Sequence, residues 1–351
     1  MDFTFDETQE ELRGLARQIL DREAWVQGFT DPLFPGLEAL QMVATLRAAD
    51  PGYPIKVFLG DIGHDYTGQR QDEWDLVRAQ MNDFFGHYLG DGAAPAFDVG
   101  ATVTRCLDHD APMRYEAAPT WRELHPTSVT FESDDEGFTN SATPGPAALA
   151  TDPISTATLP LPGSYKGCRK MSPSSADPTA ATYRFPVEGD LVLMGAPVVE
   201  VRYDTTGPDT ELNVRLWDVA PDGSVQGLVT RGTYRAVDGP GTGLEARFAI
   251  APNGYRFPAG HQVKLEVTAN DAPYYQQSNV PAAVRVAGVR LTLPLLERGG
   301  AGAPASAGNA PAPGAIAATG GHRFSLLGAL LLSAALVVRR ARAGSAARRS
   351  R

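Results

Sequence analysis

The sequence predicts a mainly β protein: a β-sandwich of jelly-roll type, preceded by the closing part of a doubly wound α/β sheet and followed by a membrane segment. Three observations carry the prediction. From Phe97 to about Leu296, short β-rich runs alternate with Gly, Pro and Asp turns, the pattern of antiparallel strands. Ahead of that region, a loop bearing an acid and a loop bearing a histidine each follow a short apolar run. Behind it, Phe324 to Val338 is an uncharged apolar stretch.

At 351 residues and 43% hydrophobic content the chain has room for roughly two domains. A formal charge of −10 argues against a nucleic-acid partner, whose phosphates demand a basic face. The charge is unevenly spread. The last 29 residues contain Arg323, Arg339, Arg340, Arg342, Arg348, Arg349 and Arg351 and no acid, so the remainder is more acidic than the total. The two cysteines, Cys106 and Cys168, are too few for a metal cluster or a disulfide framework. They read either as a single bridge of an exported protein or as two buried thiols. No cofactor or metal site is expected. Asp108-His109-Asp110 reads as a solvated loop because no second ligand pair is spaced for it. Ser133-Asp134-Asp135-Glu136-Gly137 lacks the alternating ligands of a calcium loop and reads as a charged turn.

The elements follow in order. Residues 1–22 form an amphipathic helix that Asp6 or Thr8 can cap, with Leu12, Leu15, Ile19 and Leu20 on one face. Its acidic residues and missing apolar core exclude a signal peptide. Residues 23–95 read as strand, acid loop, helix, strand, His loop and helix. The strands are Trp25-Val26-Gln27 and Ile55–Leu59, and the first helix is Leu37–Ala49. The loops are Gly28-Phe29-Thr30-Asp31-Pro32-Leu33-Phe34-Pro35 and Gly60-Asp61-Ile62-Gly63-His64-Asp65. In Gln71–Leu89 the residues Trp74, Val77, Met81, Phe84, Phe85 and Tyr88 recur at spacings of three and four, giving one wide apolar face.

Functional residues of open α/β sheets sit at the carboxyl ends of strands. An α/β-hydrolase places its triad along the chain as Ser, then Asp or Glu, then His. Asp31 and His64 are the last two members in that order; the plainer alternatives are a turn Asp before Pro32 and an ordinary loop His. The first member is missing. A nucleophile elbow needs G-x-S-x-G, and no such pentapeptide occurs. Gly163-Ser164-Tyr165-Lys166-Gly167 and Gly223-Ser224-Val225-Gln226-Gly227 hold Ser at the wrong place. Residues 23–95 are therefore expected to be a truncated α/β-hydrolase fragment. Two strands alone would leave apolar sheet surface bare, so the chain is expected to aggregate unless 1–95 are removed.

Residues 96–297 supply the sandwich. Its runs are Ala101–Thr104, Val129–Phe131, Val198–Tyr203, Glu211–Trp217, Leu228–Thr230, Glu245–Ile250, His261–Val267 and Ala287–Leu293, several alternating apolar and polar residues. Trp217 reads as buried core, or with Tyr274-Tyr275 as a cleft wall. Residues 298–323 are an Ala/Gly/Pro linker, 324–338 the transmembrane segment and 339–351 a basic tail. Fifteen residues fall short of the ~20 usual for a span, but the trailing arginines suit retention. Ile316-Ala317-Ala318-Thr319-Gly320 is similar to a sortase sorting motif, which places the chain at the membrane or cell wall, although nothing at the amino terminus would start export.

Three phrases in order carry a family likeness: Gly195-Ala196-Pro197-Val198-Val199; Glu211–Val219 with Pro221-Asp222-Gly223; and Phe257-Pro258-Ala259-Gly260-His261 through Val267. Together they resemble the C-terminal domain of X-Pro dipeptidyl-peptidases and cocaine esterases, serine hydrolases in which a jelly roll covers an α/β-hydrolase domain. The likeness runs from about Trp25 to Leu296. It implies peptide or ester substrates, Asp31 as triad acid and His64 as general base, with no counterpart for the Ser or the oxyanion-hole donors. The chain is then inactive alone. The alternatives are a surface-tethered β-sandwich binding module, or one half of a split hydrolase whose Ser comes from a separate polypeptide. The first 20 or so residues resemble an acyl-CoA dehydrogenase amino terminus, which reads as a fusion or as a chance likeness of a solvent-facing helix.

Overall fold

A computed structural model describes residues 23–31, 34–63, 70–105, 111–145, 170–171, 177–237 and 239–296. The amino-terminal helix, His64, both cysteines, the sortase-like motif and the apolar run 324–338 lie outside the described residues. No helix among the described residues is long and apolar enough to cross a membrane.

The first layer is a four-stranded sheet in the order β1 (Glu23–Gly28), β2 (Ile55–Gly60), β3 (Val99–Thr102), β4 (Tyr115–Ala118). The first three strands run parallel and β4 is antiparallel to β3. Strand β2 is apolar on both faces because each face is covered. Ile55, Val57 and Leu59 pack with Val43 and Leu40 of helix α1 (Gly36–Ala49). Phe58 points the other way, toward Trp74 and Val77 of helix α2 (Gln71–Leu89). A fully buried strand reads as a continuous hydrophobic run for this reason. On α2, Val77 and Phe84 are buried as the spacing predicts, whereas Phe85 stays exposed at the margin of the apolar face.

The sheet extends further than the sequence predicts. Ala101 and Thr102, read as the first sandwich strand, belong to β3 beside β2. The chain crosses to the sandwich just afterwards, where Thr104 donates its N–H to the Gly254 carbonyl at 2.7 Å. A short helix α3 (Trp121–Leu124), capped by the Thr120 hydroxyl, follows β4.

Beyond it lie β5 (Thr127–Ser133), β6 (Gly137–Asn140), β7 (Lys170–Met171), β8 (Ala181–Pro186), β9 (Leu191–Gly195), β10 (Val198–Thr205), β11 (Thr210–Val219), β12 (Gln226–Ala236), β13 (Gly241–Ala249), β14 (Asn253–Phe257), β15 (Gln262–Thr268) and β16 (Ala283–Leu295). They form a seven-stranded sheet, β13-β10-β16-β9-β14 with β5 and β6 along β16, and a five-stranded sheet, β7-β12-β11-β15-β8. Their facing side chains make one core, in which Leu212, Val214 and Leu216 of β11 meet Val199, Leu291 and Leu293 of the opposite sheet. The charged turn between β5 and β6 is tied down by Arg202 on Asp134 and Arg285 on Glu136.

The sandwich also has a second apolar face, and it is this face that holds the α/β sheet. Val192 and Met194 of β9 share a buried cluster with Phe29, Val43, Ile55, Val57, Leu59, Val99, Ala101 and Val103. That overturns the picture of a bare remnant beside an independent sandwich. Deleting 1–95 strips one side of this cluster and uncovers Val192 and Met194, each fully buried methyl-rich side chain worth about 1.5–3 kcal/mol of burial.

Candidate active site

The two loops singled out in the sequence emerge side by side from the carboxyl ends of β1 and β2, which pair in register from Glu23↔Ile55 to Gly28↔Gly60. Phe29 continues the pairing by donating its N–H to the Gly60 carbonyl at 2.7 Å. Beyond that point the loops interlock through two glycines. A Cβ on Gly28 would lie 1.8 Å from the Ile62 carbonyl oxygen, and one on Gly63 would lie 3.0 Å from the Thr30 carbonyl oxygen and 3.2 Å from Asp31 Cα. Only glycine lets two backbones approach this closely. The residue after Gly63 is His64.

Asp31 is half-buried, and its Oδ1 accepts the Phe34 N–H at 3.0 Å. That bond orients the carboxylate from within its own turn, as Asp commonly does in loops. The sandwich backs the same loop. Gly254 of β14 leaves room for the Phe29 ring, which a Cβ there would meet at 3.3 Å, and Pro252 packs on Gly36 at the start of α1.

A buried polar cluster lies beneath the loops, and sequence reasoning missed it. Asp61 Oδ2 accepts from Arg70 Nε at 2.7 Å and from the Arg105 backbone N–H at 3.2 Å. Thr102 Oγ1 accepts the Asp61 N–H at 3.2 Å and donates to Glu73 Oε2 at 2.7 Å. The Arg105 guanidinium grips Asp72 with two bonds, 2.7 and 2.8 Å, and reaches Glu73 at 3.3 Å. Such forked pairs are the strong form of the interaction. Burial, with the neighbouring Asp61 and Asp72 charges, pushes the Glu73 carboxyl up to about 7, against bonds from Thr102 and Arg105 that pull it down. Arg105 holds Asp72 below its usual range despite partial burial. Asp61 stood in the quoted loop; its partners are brought to it by tertiary packing, and their spacing along the chain carries no signal.

Asp108-His109-Asp110 lie outside the described residues. His87 is half-buried and contacts the Gly92 carbonyl at 2.9 Å. His125 is depressed by burial. Trp217 is fully buried with its Nε1 donating to Glu266 Oε2 at 2.8 Å, which settles it as a packed residue. Among the described residues, no group of His, Cys, Asp and Glu is arranged to hold a metal ion.

Comparison with known proteins agrees with this architecture. The X-Pro dipeptidyl-peptidase C-terminal non-catalytic domain matches residues 105–287, more than half of the chain, which include β4 of the first sheet and most of the sandwich. No curated protein sequence matches. Among solved structures, an α-amino acid ester hydrolase aligns with a TM-score of 0.59 at 16% identity, covering 83% of this chain and 58% of its own. An aminopeptidase from the marine sediment archaeon Thaumarchaeota archaeon gives 0.58 at 17%, covering 84% and 58%. A CocE/NonD family hydrolase from Staphylococcus aureus gives 0.50 at 11%, covering 83% and 57%. At these identities the likeness is one of fold, and the chain spans less than two thirds of the length of each. The alignments cover a larger share of the chain than the matched domain does. The chain belongs to the family of the X-Pro dipeptidyl-peptidase C-terminal non-catalytic domain.

Proposed function

We propose that this chain carries the acid and the general base of a serine hydrolase acting on peptide or ester bonds, and that it has no turnover alone. The interlock of Gly28 with Ile62 and of Gly63 with Thr30 and Asp31 supports this reading, because it brings the Gly63 backbone against the acid's own backbone. Asp31 would hold the imidazole of His64 in one tautomer and stabilise the imidazolium. His64 would take the proton of a serine hydroxyl as its oxygen bonds to the substrate carbonyl carbon, then return that proton to the leaving amine or alcohol as the carbonyl–heteroatom bond breaks. Water would then cleave the acyl ester by the same route. The 351 residues contain no G-x-S-x-G elbow, so the hydroxyl has to come from elsewhere. An Asp–His pair without nucleophile and oxyanion hole forfeits most of the rate; one oxyanion donor alone is worth about 3 kcal/mol.

One observation favours a Ser-bearing partner over a relic. Among the described residues β1 pairs only with β2, so its outer edge is a template for a further strand. In this reading the apolar run 324–338 and its arginines tether the chain to a membrane or cell wall. The test is a fluorophosphonate probe on the purified chain, read by intact mass. No adduct is expected; an adduct on any serine of the 351 residues would overturn the proposal.

A further inference from the structure

Strand β13 ends the seven-stranded sheet. It pairs with β10 from Val198↔Ala249 to Tyr203↔Leu244, and among the described residues no strand lies on its other side. No backbone bond outside that ladder involves Leu244 to Ala249. Such an edge is a template for a further strand unless its side chains prevent pairing. Along β13, Ala246 and Phe248 turn into the sandwich core, while Glu245 and Arg247 are exposed on the outer face. Charge already alternates from strand to strand on that face. Arg247 donates to Glu200 of β10 at 3.0 Å, and Arg290 of β16 lies 3.9 Å from Glu200 and 3.1 Å from Glu132 of β5. The core is also incompletely closed at this edge. Leu244 and Tyr234 pack against it only half-buried, with the Tyr234 ring stacked on Phe248 at 5.4 Å.

A second copy of the same strand fits this edge. A two-fold axis normal to the sheet pairs β13 with itself antiparallel, and the pleat makes opposite residues share a face. The axis therefore passes through a residue that meets its own copy. Through Glu245 it sets glutamate against glutamate, and through Arg247 arginine against arginine. Through Ala246 it sets Glu245 opposite Arg247 of the second copy, twice over, and Leu244 opposite Phe248. The charge alternation then runs on into the second sheet, and the half-buried Leu244 is covered. We propose that β13 is a self-association surface at which two copies of this chain join their seven-stranded sheets, antiparallel and centred on Ala246. The paired stretch from Leu244 to Phe248 is short, so the dimer is reversible. This surface is independent of Asp31 and of a partner at β1.

Sedimentation velocity of the full chain over a range of concentrations tests it, on the parent, Glu245→Arg, Arg247→Glu and the double exchange. The parent should show a monomer–dimer equilibrium. Glu245→Arg opposes arginines at two places and Arg247→Glu opposes glutamates at two places, so each should weaken the dimer by about tenfold or more. The double exchange again opposes unlike charges and should return the dissociation constant to near that of the parent. All four should share one circular dichroism spectrum, because both side chains are exposed. A parent that stays monomeric at the highest concentration overturns the proposal. So does association of equal strength in all four proteins, or a double exchange no tighter than the single variants. Should one single variant fail to fold, the other and the double exchange carry the same comparison.

Discussion

An Arg215→Ala variant is expected to lose about 3–5 kcal/mol of folding stability, the usual consequence of removing one partner from a buried ion pair. Arg215 is fully buried on β11, and its guanidinium donates to Asp271 from Nε at 2.7 Å and to Asp177 from Nη1 at 2.8 Å. Glu266 lies 3.5 Å away and also receives Trp217 Nε1 and Lys264 Nζ, the latter at 2.7 Å. Arg231 completes the set on Asp271 at 3.2 Å while stacking 4.0 Å above the Tyr274 ring. Three buried cations thus face three buried carboxylates. The network fastens Asp177 and Asp271, on either side of strands β8 to β15, to the middle of the five-stranded sheet. Removing Arg215 takes the guanidinium from both Asp177 and Asp271 in a site closed to water, where a carboxylate stripped of its cation is expensive. Urea unfolding measures the loss; a change below about 1 kcal/mol would show that the network contributes little.

The second large effect concerns pH. Glu73 is fully buried, and its folded-state carboxyl sits near 7 against an ordinary value of 4.5. Between these two values the native chain holds a proton that the unfolded chain has released. Stability from this group is therefore greatest below about 4.5 and is lost as pH rises toward 7, by roughly 3 kcal/mol for a shift of this size. Glu73→Gln keeps an acceptor for the Thr102 hydroxyl but cannot ionise. The parent-minus-variant difference in unfolding free energy should therefore fall between pH 5 and pH 7.5 by an amount of that order. A difference that stays flat over this window would contradict the buried-acid account. Asp72 works in the opposite sense, since its lowered value makes its contribution fade only as pH falls through the acid range below 3.8.

The α/β portion was legible in the sequence where periodicity and turn chemistry agreed. Gln71–Leu89 was read to its observed bounds because Val77 and Phe84 recur at helical spacing and Gly90 follows. The runs Trp25-Val26-Gln27 and Ile55–Leu59 fell within β1 and β2 because buried parallel strands are short, continuous and apolar. Strand β3 was misplaced because Val-Gly-Ala-Thr carries no mark of its partner, and only packing beside β2 assigns it. Strand β9 was missed for a different reason. Leu191-Val192-Leu193-Met194 is apolar on both faces because it serves two cores, so it does not alternate.

The polar clusters were hidden by the same logic. On β11, Asn213, Arg215 and Trp217 occupy the face that an alternating pattern assigns to solvent, yet all three are buried. Charged residues at helix starts, such as Asp72 and Glu73, ordinarily read as helix-dipole partners in water. Here they meet Arg105, three residues beyond β3 and thirty-odd residues away in the chain. Asp31 and His64 stand out in the sequence because each lies in a loop after a strand-like apolar run, in triad order. The glycines that bring those loops together were visible as letters and became informative only with the distances.

The account turns on Asp31 and His64 sharing a hydrogen bond, and a titration tests it most directly. Followed by NMR in the intact chain, the His64 imidazole should titrate above the ~6.5 of a free histidine and drop by about one unit or more in Asp31→Asn. An identical midpoint in the two proteins would contradict it.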